Sequence, residues 1–440
     1  MIRVRAKGAG AFLLLFLLIC SFVALLPGVA GGVTSSTTAT TKPVKSTTTK
    51  LGATTTTKKP TPSGSTTTTK PVNATTTTTK PAGPPSPSLN CEAAILMDAA
   101  TGRVIYARNA DERRSIASTT KIMTGLLAIE TLPLDKTVTV SQRAADVGES
   151  EMWLEPGEVC TVEELLYGLF VKSGNDAAMA LAEACSGTVE KFAAKMNAKA
   201  VELGLTNTHF MNPHGLEATG HYSSARDMAN LARYAMQDAE FRKMVSTKVI
   251  NLPWPGHPGG RTFTNYNTLL PKVSWVNGVK TGYTTEAGWC LIGSATKNGV
   301  TLVSSVMGDV LRDDVDPDTM ALFNYGFAKY KDVTLGEKGV KMAEVGVPYY
   351  YGQTMPLVTD GAMHRSLFVD DATTTAVMVT EELTLPVEPG KVMGKVVYNV
   401  AGKPVGEVNL ITTKAFAEPT LGIKFAYYWD RFVAWLKQTV

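Results

Sequence analysis

The feature that most constrains this chain of 440 residues is the order of three short strings: Ser118-Thr-Thr-Lys121, Ser173-Gly-Asn175 and Lys280-Thr-Gly282. Each string alone arises often by chance in a chain so rich in Thr. The first one opens the run Ser118-Thr-Thr-Lys-Ile-Met-Thr-Gly-Leu-Leu-Ala-Ile-Glu130, which predicts a helix that begins at Ser118. Residues three apart share a face of a helix, so Lys121 is expected to lie one turn behind Ser118.

The pairing of Ser118 with Lys121 suggests nucleophilic chemistry. A serine hydroxyl is a poor nucleophile and needs a base within hydrogen-bond reach. A lysine amine accepts a proton only when uncharged, and burial together with nearby positive charge, which Lys280 would supply, lowers its pKa. Apolar neighbours such as Ile122 and Leu126 indicate a buried helix, where an unpaired lysine is costly. The helix N-terminus also favours developing negative charge, so the pattern predicts a nucleophilic Ser118 with Lys121 as its base.

The N-terminal part of the chain has the pattern of an exported protein. Arg3, Arg5 and Lys7 precede an apolar run that ends in small residues, which predicts a secretory signal peptide over residues 1–30. The run is also long enough to serve as an uncleaved anchor. Residues 31–88 alternate Thr runs with Lys-Pro and contain no aromatic residue, which predicts a disordered spacer. We therefore expect an extracytoplasmic protein associated with the membrane or the cell wall.

Charge is distributed unevenly along the chain. The formal net charge is +4, yet no Asp or Glu precedes Glu92, so the basic N-terminal segment hides a mildly acidic remainder. Those lysines could contact anionic lipid or wall polymer, or could serve only as a solubilising linker. Nothing in this distribution indicates a nucleic-acid partner.

The cysteines and histidines show no pattern of a metal site. Four cysteines follow the predicted signal: Cys91, Cys160, Cys185 and Cys290. Outside the cytoplasm they would allow two disulfides, although the apolar surroundings of Cys185 and Cys290 predict buried free thiols. Neither these residues nor the five histidines have the spacing of metal ligands. We therefore predict no metal and no other cofactor.

The segment after the spacer reads as two domains and a terminal helix. In residues 89–334, strands at both ends enclose helices, which predicts an α/β domain with a mainly antiparallel sheet and a helical cluster. Residues 335–418 alternate as strands and predict a small all-β domain. Residues 419–440 carry an apolar stripe of period 3.6 with aromatic residues, which predicts an amphipathic helix that lies on a membrane surface. The alternative is a helix packed on the β domain.

The three strings in this order resemble the S-x-x-K, S-x-N and K-T-G set of penicillin-binding proteins and serine β-lactamases. Phe210-Met-Asn-Pro-His-Gly-Leu216 and His221-Tyr-Ser-Ser-Ala-Arg-Asp-Met-Ala229 narrow the resemblance. Segment 89–417 resembles the low-molecular-weight penicillin-binding proteins that are serine-type D-alanyl-D-alanine carboxypeptidases. This implies a β-lactamase/transpeptidase-like domain that removes the terminal D-alanine from peptidoglycan pentapeptide through an acyl-enzyme. It also implies acylation by β-lactam antibiotics.

The resemblance further implies a role for each matching residue. The catalytic residues would be Ser118 as nucleophile, Lys121 as acylation base and Ser173 as proton relay. The substrate-binding residues would be Asn175 for the substrate amide, Lys280 for positive charge, Thr281 for the terminal carboxylate, Gly282, Tyr283 and Arg312. The oxyanion hole would consist of the backbone N–H groups of Ser118 and Tyr283, and Arg312 would bind the free carboxylate. His214 and His221 are expected to be structural.

Three alternatives use the same strings. A serine β-lactamase of class A would need a deacylating glutamate in E-x-x-L-N, and the nearest string, Glu202-Leu-Gly-Leu-Thr206, lacks the Asn. Slow deacylation of penicillin is therefore expected. A D,D-endopeptidase acting on cross-linked peptide would use the same residues. A non-catalytic, wall-tethered binding protein is the third alternative, and the intact set of Ser118, Lys121, Ser173 and Lys280 argues against it.

Overall fold

The computed structural model of the chain describes residues 85–379 and 382–439. The predicted signal peptide (1–30) and nearly all of the predicted spacer (31–88) lie outside the described residues, so both stay predictions. The strands are β1 (Ala93–Asp98), β2 (Val104–Arg108), β3 (Thr137–Thr139), β4 (Val159–Thr161), β5 (Val249–Leu252), β6 (Arg261–Thr264), β7 (Val276–Thr284), β8 (Gly288–Lys297), β9 (Val300–Asp309), β10 (Tyr330–Gly336), β11 (Lys341–Gly346), β12 (Thr354–Thr359), β13 (Met363–Phe368), β14 (Thr373–Val379), β15 (Val392–Val400) and β16 (Lys403–Thr412).

The helices alternate with these strands only in the first part of the chain. They are α1 (Lys121–Thr131), α2 (Gln142–Ala145), α3 (Val162–Tyr167), α4 (Asn175–Ser186), α5 (Val189–Glu202), α6 (Ala225–Ala235), α7 (Ala239–Val245), α8 (Leu269–Lys272), α9 (Arg312–Phe327) and α10 (Leu421–Thr439). A 3-10 turn (Ala117–Thr120) precedes α1, and a π-helical turn (Gly168–Lys172) follows α3.

The main sheet contains strands from both ends of the first domain. Its order is β2-β1-β9-β8-β7, and all neighbours are antiparallel. All six residues of β1 are buried, as expected for a central strand covered on both faces. Strand β7, which carries Lys280-Thr-Gly282, lies at the edge of the sheet. Among the described strands, none pairs with its outer edge.

The helical cluster packs tightly around α1. The first eight residues of α1 are all buried. Gly125 allows this helix to approach the π-helical turn, because a Cβ atom there would lie 2.1 Å from Cζ of Phe170. The close approach fixes the distance between the start of α1 and the end of the π-helical turn, where two of the three strings lie.

The second part of the chain forms its own sheet and core. The sheet order is β11-β12-β16-β15-β14, and β10 pairs separately with β13. Strand β10 spans the predicted domain boundary at residue 335. The core of this part includes Met355, Leu357, Met393 and Leu410, none of which is exposed. The predicted fold class, an α/β domain with a mainly antiparallel sheet followed by an all-β domain, is confirmed.

The terminal helix α10 leaves most of its aromatic side chains in solvent. Phe425, Trp429 and Trp435 are 60%, 54% and 53% exposed. Its contact with the β part includes Tyr349, whose ring meets Tyr427 and Tyr428 edge-on at 5.6 and 6.3 Å. Among the described helices, none has the length and apolar character needed to cross a membrane.

The four cysteines that follow the predicted signal are all free thiols. Cys91, Cys160 and Cys290 are buried, as predicted for Cys290, whereas Cys185 is only half-buried. Cys185 lies in the last turn of α4, where the helix end is reached by solvent. The two disulfides that four cysteines would allow are therefore not formed.

Candidate active site

The nucleophile candidate lies in a tight turn at the start of α1. The helix does not begin at Ser118 as predicted; a 3-10 turn over Ala117–Thr120 leads into the α-helix at Lys121. Ala117 adopts a left-handed backbone with φ of 46°, which reverses the chain directly before the serine. The predicted pairing of side chains is present, since Lys121 Nζ lies 2.8 Å from Ser118 Oγ.

Lys121 is fully buried, and three oxygen atoms surround its amine. Besides Ser118 Oγ, the amine donates to Asn175 Oδ1 at 2.7 Å and to the backbone carbonyl of His214 at 2.9 Å. Burial, and then the nearby Lys280, lower the pKa of Lys121 well below its usual value, while Asp176 opposes the shift. An uncharged amine has two hydrogens, which these two acceptors take up. Its lone pair is then left for the Ser118 hydroxyl.

Ser173 and Lys280 form a second pair beside the first. Ser173 ends the π-helical turn in a left-handed conformation with φ of 64°, and this backbone directs its side chain back into the cleft. Lys280 Nζ lies 2.9 Å from Ser173 Oγ and donates to the Thr281 carbonyl at 2.9 Å. Only 2% of Lys280 is exposed, and this burial lowers its pKa to about 7. The lysine therefore changes charge near neutral pH.

Strand β7 lies directly against the nucleophile turn. A Cβ atom on Gly282 would lie 3.1 Å from the backbone nitrogens of Ser118 and Thr119 and from the Ile116 carbonyl. Glycine makes this approach possible without strain, because a side chain here would have to push the neighbouring backbone away by a few tenths of an ångström. The next residue, Tyr283, is half-exposed, and its ring stacks on Trp289 at 4.3 Å. The third string is thereby brought alongside the first.

Arg312 lies at the rim of this region, apart from the buried side chains. It is the first residue of α9, and its guanidinium donates to Thr268 Oγ1 at 3.2 Å and to the Tyr266 carbonyl at 3.4 Å. It also lies over the Trp289 ring at 5.3 Å, and that ring stacks on Tyr283. Among its contacts with described residues, none is with Ser118, Lys121, Ser173 or Lys280.

Sequence reasoning missed Asp176 as a support of the site. This buried carboxylate accepts hydrogen bonds from the backbone N–H groups of Met152 and Leu154 at 3.0 and 3.1 Å. It thereby ties the loop before β4 to the start of α4, next to Asn175. Burial raises the pKa of Asp176, and these hydrogen bonds oppose the shift. The only signal in the sequence was an acidic residue in an Ala-rich helical run.

His214 and His221 occupy structural positions behind the nucleophile turn. The Nδ1 atom of His221 accepts from the backbone of Met211 at 3.0 Å, and its Nε2 lies 2.8 Å from Thr120 Oγ1. Burial lowers the pKa of His214 to about 3 and that of His221 to about 4, so both are neutral near pH 7. The backbone of His214, rather than its ring, contacts Lys121.

Comparison with known proteins identifies the family to which this chain belongs. The family model for D-alanyl-D-alanine carboxypeptidase matches residues 75–310. DacF, a D-alanyl-D-alanine carboxypeptidase of Bacillus subtilis, is 35% identical over 327 residues, which cover 72% of this chain and 83% of DacF. DacA of Escherichia coli K12 is 31% identical over 351 residues, covering 76% and 86%. The chain belongs to the D-alanyl-D-alanine carboxypeptidase family.

Solved structures agree with this membership. The DD-transpeptidase of Streptomyces K15 is 36% identical, with a TM-score of 0.53 over 56% of this chain and 99% of that one. The carboxypeptidase DacD of Francisella tularensis is 26% identical, with a TM-score of 0.55 over 78% of this chain and 96% of that one. The predicted transpeptidase-like fold is confirmed, and so is the predicted class, a low-molecular-weight penicillin-binding protein and serine-type carboxypeptidase.

Proposed function

We propose that Ser118 attacks the carbonyl carbon between the last two residues of a peptidoglycan stem peptide that ends in D-Ala-D-Ala. The observation that carries this assignment is the buried Lys121 amine, 2.8 Å from Ser118 Oγ, whose pKa is lowered by its burial and by Lys280. Lys121 takes the hydroxyl proton as the oxygen attacks, and the carbonyl becomes a tetrahedral oxyanion. Backbone N–H groups of Ser118 and Tyr283 stabilise that oxyanion.

Collapse of the intermediate breaks the peptide bond and releases D-alanine. The leaving amine needs a proton, which reaches it from Lys121 through the Ser173 hydroxyl, and the Lys280 contact with that hydroxyl supports the relay. The product is an ester between the shortened peptide and Ser118. Water then attacks the ester, with Lys121 again as the base, and regenerates the serine.

Binding of the free carboxylate is assigned to the β7 edge and its surroundings. Thr281 would donate its hydroxyl, and Lys280 and Arg312 would supply positive charge. Asn175 would bind the substrate amide. In the free enzyme, Asn175 Nδ2 donates to the Gly148 carbonyl at 2.9 Å, so this group must turn or share its hydrogens when substrate binds.

The test is covalent labelling together with product release. After incubation with labelled penicillin, intact mass should show one adduct, on Ser118, and pentapeptide should release D-alanine. Ser118→Ala should lose both reactions. Ser115→Ala is the matched control, because this hydroxyl lies in the same loop but donates to Glu286. Label retained in Ser118→Ala would refute the assignment.

A β-lactamase is the less favoured alternative. Glu202, the nearest match to a deacylating glutamate, is the last residue of α5 and accepts from Lys199 at 2.9 Å. Slow turnover of nitrocefin is therefore expected. Endopeptidase action or transfer to an amine remains an open second candidate, because the same residues would serve and the similar Streptomyces K15 protein is named a DD-transpeptidase.

We propose that the protein acts outside the cytoplasm and that α10 attaches it to a membrane surface. The exposed rings of Phe425, Trp429 and Trp435 support a helix lying at the interface. In the chain from residue 89 onward, deletion of 419–440 should abolish binding to anionic liposomes. Activity on soluble pentapeptide should stay intact. If activity or folding is lost instead, α10 belongs to the core of the β part.

A further inference from the structure

Lys172 holds a positive charge at the rim of the cleft, beside two exposed aromatic rings. It is the last residue of the π-helical turn and directly precedes Ser173. Its ammonium lies 4.7 Å from the centre of the Trp153 ring and donates to the Tyr266 hydroxyl at 3.1 Å. Trp153 is 49% exposed and Tyr266 is 44% exposed. Because an aromatic face attracts a cation, the two rings fix the position of this charge.

Trp153 lies in the loop before β4, yet contacts with buried residues fix its conformation. Its backbone is left-handed, with φ of 63°, which is an outlier for a bulky residue. Arg261, only 2% exposed and paired with the buried Glu158, donates to the Trp153 carbonyl at 3.0 Å. The Trp153 ring packs against Phe263 at 5.7 Å. Strained residues that are held in this way cluster at ligand-binding positions.

The charge of Lys172 is not neutralised by a described carboxylate. Among the ion pairs of the described residues, none includes Lys172. Its hydrogen bond to Tyr266 goes to a neutral hydroxyl, and the side chain is half-buried. A fixed ammonium without an acidic partner is preorganised to bind an anion, and a carboxylate would form a charge-assisted hydrogen bond with it.

Two connections place Lys172 on the side of the cleft where the leaving group departs. Ser173, the proposed proton relay to the leaving amine, is its neighbour in the chain. The backbone carbonyl of Tyr266 accepts from Arg312 at 3.4 Å, and Arg312 is a proposed ligand of the D-alanine carboxylate. D-alanine has one carboxylate, which the groups already assigned would bind. Lys172 is therefore a further cation on this side of the cleft.

We propose that Lys172 is a specificity-determining residue that binds a second carboxylate on the leaving group. The inference rests on the proposed acyl-enzyme reaction and names a further leaving group for it, an amine that carries two carboxylates. Cross-linked stem peptides supply amines of this class, because the amine released there belongs to a neighbouring peptide with its own carboxylates. Opening of such cross-links would then be an activity beyond the release of D-alanine.

The bonds made and broken are those of D-alanine release. Ser118 Oγ attacks the D-alanyl carbonyl carbon, the amide C–N bond breaks, and the amine leaves with the proton relayed through Ser173. Water then hydrolyses the ester, so one water is consumed for each amide bond and no other reactant is needed. Lys172 takes no part in these steps, since its ammonium only holds the second carboxylate of the departing amine.

The test compares three synthetic peptides that differ only in the residue after the scissile bond. That residue is D-alanine, D-α-aminopimelic acid, which adds a second carboxylate, or the ω-amide of D-α-aminopimelic acid, which keeps the length without the charge. The wild-type enzyme should cleave the diacid peptide with a kcat/KM roughly tenfold above that of the amide peptide, the scale of one charged hydrogen bond.

Substitutions of Lys172 should change this diacid-to-amide ratio. Lys172→Met should abolish the preference for the diacid, and Lys172→Arg should keep most of it, because the charge is retained. Lys243→Met is the control and should leave the ratio unchanged, since Lys243 is exposed and pairs with Glu163 and Glu240. Both substrates are measured on the same variant, so a smaller folded fraction cancels from the ratio.

The outcomes separate the role of Lys172 from the reaction on which it rests. Equal cleavage of the diacid and amide peptides by the wild-type enzyme, with D-alanine still released and Ser118 still labelled by penicillin, would overturn the role of Lys172 alone. A preference for the diacid that survives Lys172→Met would do the same. Failure of the wild-type enzyme to cleave all three peptides and to take up the label would overturn both proposals.

Discussion

Two clusters of buried ionisable groups in this enzyme differ in how their polar atoms are paired. Three oxygens lie within 2.9 Å of Lys121 Nζ, and Lys280 Nζ has two oxygen contacts at 2.9 Å. Asp309, which lies beside Cys91 and Asp318, in contrast receives no hydrogen bond from a described N–H group. Burial and the neighbouring Asp318 raise the pKa of Asp309 to about 7. Buried polar groups are almost always paired; the lysine cluster achieves this through neutral oxygen acceptors, whereas the acidic cluster places two carboxyl groups together.

The difference shows how the two kinds of burial should be interpreted. In the lysine cluster, hydrogen bonds fix each amine while burial lowers its pKa, and this combination is typical of a functional site. In the acidic cluster, burial and the nearby Asp318 instead raise the pKa of Asp309. Burial therefore favours the uncharged form in both clusters, which is an amine without its extra proton in the first and a protonated carboxyl group in the second.

The largest expected effect comes from removing Lys121, the amine at the centre of the lysine cluster. Lys121→Ala should slow acylation by penicillin roughly 10²-fold or more, the scale of a lost general base, while non-covalent binding persists. Rapid-quench intact mass measures the rate. Lys199→Ala is the control, because Lys199 is also largely buried but pairs with Glu130 and Glu202. An equal loss in both variants would mean that burial, not position, accounts for the effect.

The next prediction concerns whether Arg312 contributes to binding of the substrate carboxylate. If its guanidinium binds the free carboxylate, Arg312→Ala should slow release of D-alanine about tenfold or more, the scale of a charged hydrogen bond. Acylation by a penicillin ester, which lacks that carboxylate, should change far less. Parallel rate measurements on the two substrates decide the matter. Equal slowing of both would restrict Arg312 to its contacts with Thr268 and Trp289.

The pH dependence of Lys280→Met tests the coupling of the two lysines. The Lys280 charge lowers the pKa of Lys121, so its removal should raise that pKa and move the acylation profile to higher pH by about one unit, a common size for such shifts. Acylation rates measured across a pH titration of each variant give the midpoint. An unmoved midpoint would show that burial alone sets the pKa of Lys121.

Lys280→Met should also change how the free energy of unfolding depends on pH. The folded-state pKa of Lys280 is lowered to about 7 from 10.5, so between these values the unfolded chain holds the proton and the folded chain does not. Wild-type stability should therefore rise with pH across this window, by at most about 1.4 kcal/mol per pH unit. Urea unfolding should show a shallower rise in Lys280→Met. An identical slope would remove Lys280 as the source.

The smallest effect on the acylation rate is expected from Gly125→Ala, which changes the packing of α1 against the π-helical turn and leaves every charge in place. Gly125→Ala would place a methyl group against Phe170 and should destabilise the fold by about 1–3 kcal/mol, as overpacking does. Acylation should slow only a few-fold while the protein stays folded. Gly259→Ala is the control, since a Cβ there meets no atom within 4 Å. Thermal unfolding of the two variants separates them.

The sequence predicted the fold class and the convergence of its three strings. Lys121 contacts Ser118 and Asn175 at 2.8 and 2.7 Å, and Lys280 contacts Ser173 at 2.9 Å. This was predictable because the three strings, in this order, resemble those of a known family whose site they form together. The helix start itself was wrong by three residues, since the 3-10 turn depends on packing against β7 and not on local propensity.

Other features depend on contacts between distant segments. Asp176 could not be assigned because its role lies in the backbone of Met152 and Leu154, which no pattern around residue 176 reveals. The cluster at Asp309 was missed for the same reason, since its members come from three elements. The half-buried state of Cys185 reflects a helix end, which hydrophobic pattern alone does not locate.

The position of β7 at the sheet edge has a consequence for drug resistance. If the ligand binds along this edge as proposed, main-chain N–H and C=O groups would hold it, and every amino acid except proline supplies these groups alike. Substitutions there could remove the Thr281 hydroxyl or crowd Gly282, but they could not remove the main-chain amides that would bind the ligand. Mutants that escape a β-lactam through this strand would therefore have to displace the backbone, and the same displacement would impair the natural peptide.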